Sequence, residues 1–191
     1  YANLIPIIET VSGLQNLLSI LSAAENACIK YMVYGHYDYS LDAGYWPFLE
    51  HDEVDFWQHL VPIVNKIEQN QLSYVHPPFP WTYDDAGLAG IFSRLKGICM
   101  QPFGMITVSG RQTSLAARLA LGGSFENAGP LKESGSYSYE DLVQSAESTR
   151  RIYDQNRRAG VSFALNPENG RFISPHEYLA SIRFLEKASD V

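Results

Sequence analysis

Short apolar runs alternate with longer stretches of helical spacing along the first half of the chain. Leu4-Ile5-Pro6-Ile7-Ile8 is apolar up to Glu9 and reads as a buried strand over 4–8. Ser12-Gly13 then opens a pattern in which Leu14, Leu17, Leu18 and Leu21 share one helical face. Ile29 to Tyr34 predicts a second strand, followed by the loop Gly35-His36-Tyr37-Asp38. Val54, Trp57, Leu60, Val61, Val64 and Ile67 mark a helix that carries one awkward residue, Pro62. Leu72 to Val75 is the third strand, ending at His76-Pro77-Pro78. Asp84 or Asp85 can cap the helix through Leu88, Ile91, Phe92 and Leu95, and Gly97 to Met100 is read as the fourth strand, before Gln101-Pro102.

Strand and helix thus alternate four times, which means parallel pairing with helices outside the sheet. An open doubly wound sheet and a barrel both satisfy that order. The barrel is favoured because no glycine-rich phosphate turn follows any strand, and because the polar residues gather just after the strands' C-terminal ends. A filled barrel needs about eight strands. The expectation is therefore an α/β chain supplying the second half, strands 5–8, of a (β/α)8 TIM barrel, with the first half coming from missing sequence or from another chain. An opening at Tyr1 rather than Met is read as the mark of a truncated or processed protein.

Beyond the fourth strand the pattern changes. Gly122 to Ser138 is rich in Gly, Ser and Asn and reads as a long mobile loop; Tyr139 to Arg158 is a charged amphipathic helix. Val161 to Leu165 and Arg171 to Ile173 flank Asn166-Pro167-Glu168-Asn169-Gly170, whose Asn-Gly ending signals a hairpin. Pro175 starts a last helix with Tyr178, Leu179, Ile182 and Leu185 on one face. The division expected is 1–121 for the barrel half and 122–191 for an appended loop, helix, hairpin and helix.

Composition narrows the partners more than the fold. Of the 191 residues 46% are apolar and 18% charged, ordinary material for one buried core. No apolar run is long enough to span a bilayer and no leader pattern opens the chain. A net charge of −7 with scattered Lys and Arg argues against nucleic acid and anionic membranes. Cys28 and Cys99 are expected to be buried, reduced thiols, and with the missing leader they suggest a cytoplasmic protein.

Chemistry concentrates at the strand ends. Glu9 follows the first strand and Asp38 the second, so neighbouring parallel strands would bring both carboxylates to one mouth. Two carboxylates with waters suit Mg²⁺. From spacing alone, helix and turn capping explains the same residues equally well. His36 and His76 also follow strands; each could orient or protonate a substrate oxygen, or be a hydrogen-bonded loop residue. Tyr37, Tyr39 and Trp46 read as pocket walls, Gln101 as a substrate hydrogen-bond partner or a polar plug, and Arg111 with Arg118 as a solvated helix stripe.

Ile7-Ile8-Glu9-Thr10 with Gly13, and Tyr34-Gly35-His36-Tyr37-Asp38-Tyr39-Ser40-Leu41-Asp42-Ala43-Gly44, resemble the strand-five and strand-six motifs of the citrate lyase β-subunit-like family, among the HpcH/HpaI-type aldolases. Lys96-Gly97-Ile98-Cys99-Met100-Gln101-Pro102 resembles its strand-eight segment, and Gly170-Arg171-Phe172-Ile173 with Pro175-His176 its C-terminal hairpin and helix. The likeness leaves out residues 103–138. It implies a TIM barrel with Mg²⁺ (or Mn²⁺) on Glu9 and Asp38 and homo-oligomers that complete one another's sites, while His36 and Gln101 are the catalytic candidates from their own places after strands. The activity implied is metal-dependent carbon–carbon lyase or aldolase chemistry, through an enolate, on a small keto acid or an acyl substrate such as a CoA thioester. The chain departs from the family at His36-Tyr37, where Pro-Gly or Pro-Ala is usual, at Gln101 for His, and at Ser174 for an Asp that serves the thioester lyases. Those departures keep open a non-catalytic relative that binds a ligand or partner. An open-sheet nucleotide-binding protein is the third reading, disfavoured by the missing Gly-x-Gly turn.

Overall fold

The helix α2 (Leu17–Asn26) ends because Cys28 turns left-handed, with φ of +56°, and the Ile29 N–H then reaches back to the Ala24 carbonyl at 3.0 Å. That is a Schellman ending, in which a residue in the left-handed region satisfies the last carbonyls of the helix. The same device recurs one unit later, where Gln71 (φ +60°) follows α4 (Val54–Gln69) and Leu72 N–H bonds to the Ile67 carbonyl at 3.3 Å. Each turn delivers the chain directly into the next strand. Cys28 is therefore exposed rather than buried as expected, while Cys99 is partly buried; both thiols are free.

The computed structural model describes residues 4–125, 131–133, 135–157 and 164–189. Four strands, β1 (Ile7–Ile8), β2 (Tyr31–Tyr34), β3 (Ser73–His76) and β4 (Gly104–Met105), form one parallel sheet in the spatial order β1-β2-β3-β4. Ile8 pairs with Tyr34, Val33 with Val75, and His76 with Met105. Between them run α1 (Val11–Gln15) and α2, α3 (His36–Asp42) and α4, and α5 (Asp85–Ile98); α6 (Gly110–Ala120) follows β4. Consecutive parallel pairing with helical crossovers is the α/β arrangement read from the sequence. Pro62 sits on the exposed side of α4, where water can serve the carbonyl it leaves without a partner.

The fourth strand corrects the sequence reading. Residues 97–100 do not pair; Gly97 and Ile98 are the last turn of α5, and the chain enters the sheet only at Gly104. Ile98 and Cys99 fall three and four residues after Leu95, so they continue the helical stripe begun by Leu88, Ile91 and Phe92. A short apolar run at a helix end cannot be told from a strand by periodicity.

The core lies between this sheet and its helices: Leu17 and Leu21 from α2, Met32 and Tyr34 from β2, Phe56, Leu60 and Val64 from α4, and Leu88, Ile91 and Leu95 from α5 are all buried. At about 25 cal/mol per Å² of apolar surface, each of these side chains contributes roughly 1.5–3 kcal/mol relative to exposure.

The tail follows its expected elements. α7 (Tyr139–Arg157) packs on α8 (Pro175–Ser189), and the antiparallel hairpin of β5 (Ala164–Leu165) and β6 (Phe172–Ile173) lies between them in sequence. Gly170, with φ of +69°, makes the turn, and a Cβ there would fall 2.1 Å from the Tyr83 ring. Part of the loop expected over 122–138, and residues 161–163 of the first hairpin strand, lie outside the described residues. Among the described residues no helix is long and apolar enough to cross a membrane.

Candidate functional site

Glu9 follows directly on β1, and the β1–β2 register sets it beside Gly35, whose N–H donates to the Ile8 carbonyl at 2.8 Å. The approach is close: a Cβ at position 35 would lie 2.9 Å from Glu9 Cβ and 3.0 Å from Ile7 Cγ2. Only glycine lets the β2–α3 turn pass so near the Glu9 backbone. Thr10, not Glu9, caps α1, its hydroxyl accepting from Gly13 N–H at 2.9 Å. The Glu9 side chain is left exposed and free of capping duty.

Asp38 stands in the first turn of α3, a favourable place for negative charge near the helix N-terminus. Its partner is not a backbone amide. Asp38 Oδ1 meets His176 Nε2 at 2.7 Å, with both side chains about one-third exposed, at 40% and 33%. One turn further along α3, Asp42 accepts from the Val11 N–H at 2.8 Å and so ties the β1–α1 junction to the same helix. Glu9 and Asp38 therefore lie on neighbouring strand-to-helix junctions at one end of the sheet.

His176 owes its position to a capping box. Ser174 Oγ accepts from Glu177 N–H at 3.1 Å while Glu177 Oε2 accepts from Ser174 N–H at 3.0 Å, and Pro175 occupies the first helical position between them. The box fixes the entry of α8, and α8 packs along α3. Ser174 thus has a structural duty at the position where the resembling family carries an Asp.

The two candidate catalytic residues differ: His36 opens α3 at the same junction as Asp38 but is buried, while Gln101 lies elsewhere. His36 is buried, its Nε2 paired with the Leu49 carbonyl at 2.8 Å and its ring edge-on to Phe56 at 5.0 Å. Burial lowers its pKa to about 4, which favours the neutral imidazole. Gln101 lies three residues before β4, at the opposite end of the parallel sheet from Glu9 and Asp38. Its N–H and that of Met100 donate to the buried Glu68 carboxylate at 2.9 and 3.0 Å. The misplaced fourth strand was the cause, since a strand ending at residue 100 would have put Gln101 at the mouth.

His76 ends β3 but is fully buried, its Nδ1 3.1 Å from Tyr74 Oη and its Nε2 unpartnered; burial brings its pKa down to about 3. His51 stacks on Phe56 at 4.4 Å and meets His76 edge-on at 5.1 Å, with neither ring nitrogen hydrogen-bonded. Arg171 is the other centre the sequence did not reveal. From the hairpin it donates to Glu50, 121 residues away, and to Glu177 at 2.7 Å. Burial opposes its charge, but the two carboxylates more than offset this and raise its pKa; burial, against Arg171, raises that of Glu50. Arg111 pairs with Asp85 at 2.8 Å on the surface, so its stripe is solvated.

The donor chemistry suits Mg²⁺ or Mn²⁺. Two carboxylates leave room for several waters, as such ions prefer, while among the described residues no group of three His, Cys, Asp or Glu could by itself hold a metal ion.

No family model matches the chain, and neither does any curated protein. Several solved structures resemble it. Malate synthase from Haloferax volcanii superposes over 98% of this chain and 49% of its own with a TM-score of 0.53 at 14% identity. RipC from Yersinia pestis covers 62% of this chain and 51% of its own, at 23% identity and a TM-score of 0.49. A citrate lyase from Burkholderia xenovorans LB400 covers 97% and 52%, at 11% identity and a TM-score of 0.48. The chain spans about half the length of each of these structures. The likeness to malate synthase shows a shared α/β fold of the TIM-barrel type.

Proposed function

We propose that the chain is the second half of a (β/α)8 barrel whose Glu9 and Asp38 hold Mg²⁺ or Mn²⁺ for carbon–carbon lyase or aldolase chemistry on a small keto acid or acyl substrate. The observation that carries this is the placement of two accessible carboxylates on adjacent strand-to-helix junctions, at the sheet end where barrel active sites sit. A bound divalent ion there supplies Lewis-acid polarisation of a carbonyl oxygen, which C–C cleavage requires. The protein's own part is geometric. Gly35 brings the two junctions together, Asp42 locks one to the other, and His176 orients the Asp38 carboxylate from α8. Hydrogen bonding of this kind to a ligating carboxylate tunes affinity without contact to the ion.

The substrate and the first barrel half belong to the proposal, and so does the oligomer. The chain's fold and half-length correspondence with malate synthase support a missing half. A panel of 4-hydroxy-2-keto acids and β-hydroxyacyl thioesters, incubated with the protein and Mg²⁺, tests the activity. Cleavage that stops with chelator and with Asp38→Asn is the expected result. A second reading, a ligand-binding relative without catalysis, draws on His36 being buried and on Gln101 lying at the opposite end of the sheet from the carboxylates. Metal binding with no cleavage of any panel member would favour it.

A further inference from the structure

The hairpin is stitched to the sheet end that carries Glu9 and Asp38. Phe172 N–H donates to the Pro80 carbonyl at 2.7 Å and Thr82 N–H to the Gly170 carbonyl at 3.2 Å, so that Arg171 and Trp81 face each other in an antiparallel bridge. That bridge anchors the Arg171 backbone on the loop that follows β3. Its guanidinium then divides between two other segments. Nε and Nη2 donate to Glu50, in the loop after α3, and Nη2 also donates to Glu177 Oε1, in the first turn of α8, at 2.7 Å. The Arg171 and Glu177 side chains are 17% and 5% exposed, so salt and water screen their pairing little.

Glu177 is the neighbour of His176, whose imidazole meets Asp38 on α3. Two tethers therefore join α8 to α3 and the loop after it: His176 to Asp38, and Glu177 through Arg171 to Glu50. Between the tethers Tyr37 and Phe48 pack with Ala180 of α8. The tethers are unequal. An exposed pair such as His176–Asp38 is worth only about 0–1 kcal/mol and cannot by itself hold α8 in place. Breaking the buried one from one side costs about 3–5 kcal/mol. The imidazole thus stays over Asp38 because the buried tether and the capping box place the α8 backbone. A guanidinium suits this duty, since its planar fork serves two acceptors in fixed directions where an ammonium does not.

Building on the reading of Glu9 and Asp38 as metal ligands, we propose that Arg171 and Glu177 are positioning residues of that site: they hold α8 so that His176 orients the Asp38 carboxylate, which makes the hairpin and α8 part of the metal site. Titration calorimetry with Mg²⁺ on the full chain tests this in two variants. Arg171→Lys keeps the charge and loses the fork; Glu177→Gln retains a residue that serves the capping box and loses the ion pair. Each should weaken Mg²⁺ binding about tenfold, the scale of a lost supporting contact to a ligating group. Glu177→Gln carries the test if Arg171→Lys does not fold. In a His176→Ala background neither substitution should weaken binding further, because the side chain through which both act is gone. Losses that multiply in the double variants, or parent affinity in the single ones, would overturn the proposal. The His176 imidazole NMR resonances of the metal-free protein give a second readout. They should move in both variants toward their positions in Asp38→Asn, and unmoved resonances would also overturn it. A parent protein that binds no Mg²⁺ would sink the metal reading instead, and these resonances would then decide the positioning by themselves.

Discussion

His51 has the least conventional surroundings of any residue in the core. Its ring is buried among His36, Phe56 and His76 with neither nitrogen paired, and burial depresses its pKa, as it does for the other two imidazoles. All three are neutral in the folded protein, whereas the unfolded chain protonates them near pH 6.5. The unfolded state therefore binds more protons as pH falls from about 6.5 toward 4, and stability is complete above that window and lost within it. Each histidine contributes up to ~1.4 kcal/mol per pH unit there. Urea denaturation at pH 7.5 and pH 5 should show a lower midpoint at the acidic value. His51→Phe should flatten the slope by about one proton; an unchanged slope would mean that His51 is not buried as described. The burial of His51 was not legible in the sequence, where it stands between the charged residues Glu50 and Asp52. The places of Glu9 and Asp38 just after β1 and β2 were legible because apolar runs end there. His176 and Arg171 were not, since a pair such as Glu50–Arg171, 121 residues apart, leaves no local pattern.

At the scale of the elements, alternation of apolar runs with helical stripes was enough to give β1, β2 and β3, their parallel order, and the helices between except α3, whose first residues read as a loop because no apolar stripe marks them. It failed for β4, because α5 ends on apolar residues while the true strand is only Gly104–Met105. The turns into β2 and β3 carry a cost that no pattern shows. Cys28 and Gln71 adopt the left-handed region without being glycine, at roughly 1–2 kcal/mol each. Gln71→Gly, at an exposed position, should raise stability by about 1 kcal/mol in thermal or urea unfolding, and a loss would contradict the Schellman assignment. Removing the hairpin's anchor should do the reverse. Arg171→Met leaves Glu50 and Glu177 without their cation, and breaking a buried pair from one side costs about 3–5 kcal/mol. A melt within a degree or two of the parent would show that the ion pairs are not holding the hairpin. His176→Ala is expected to spare the fold and lower Mg²⁺ affinity about 10–100-fold through Asp38.

For the whole molecule, the four-stranded sheet has two edges, and both carry exposed apolar side chains. Ile7 is 50% exposed on β1, and Ile106, just past β4, is 39% exposed. Open apolar edges pair with other strands unless covered. The expected outcome in light scattering is association of the 191-residue chain alone, relieved when the first barrel half is supplied; a stable monomer would argue against the half-barrel proposal. The central claim concerns the rim those halves would share. Titration calorimetry with Mg²⁺ and Mn²⁺ on the parent protein, Glu9→Gln and Asp38→Asn tests it most directly. Each substitution keeps shape and removes one charged oxygen donor, so each should weaken binding at least tenfold with the melting temperature preserved. Equal affinity in all three proteins would contradict the account and leave the two carboxylates as surface charges.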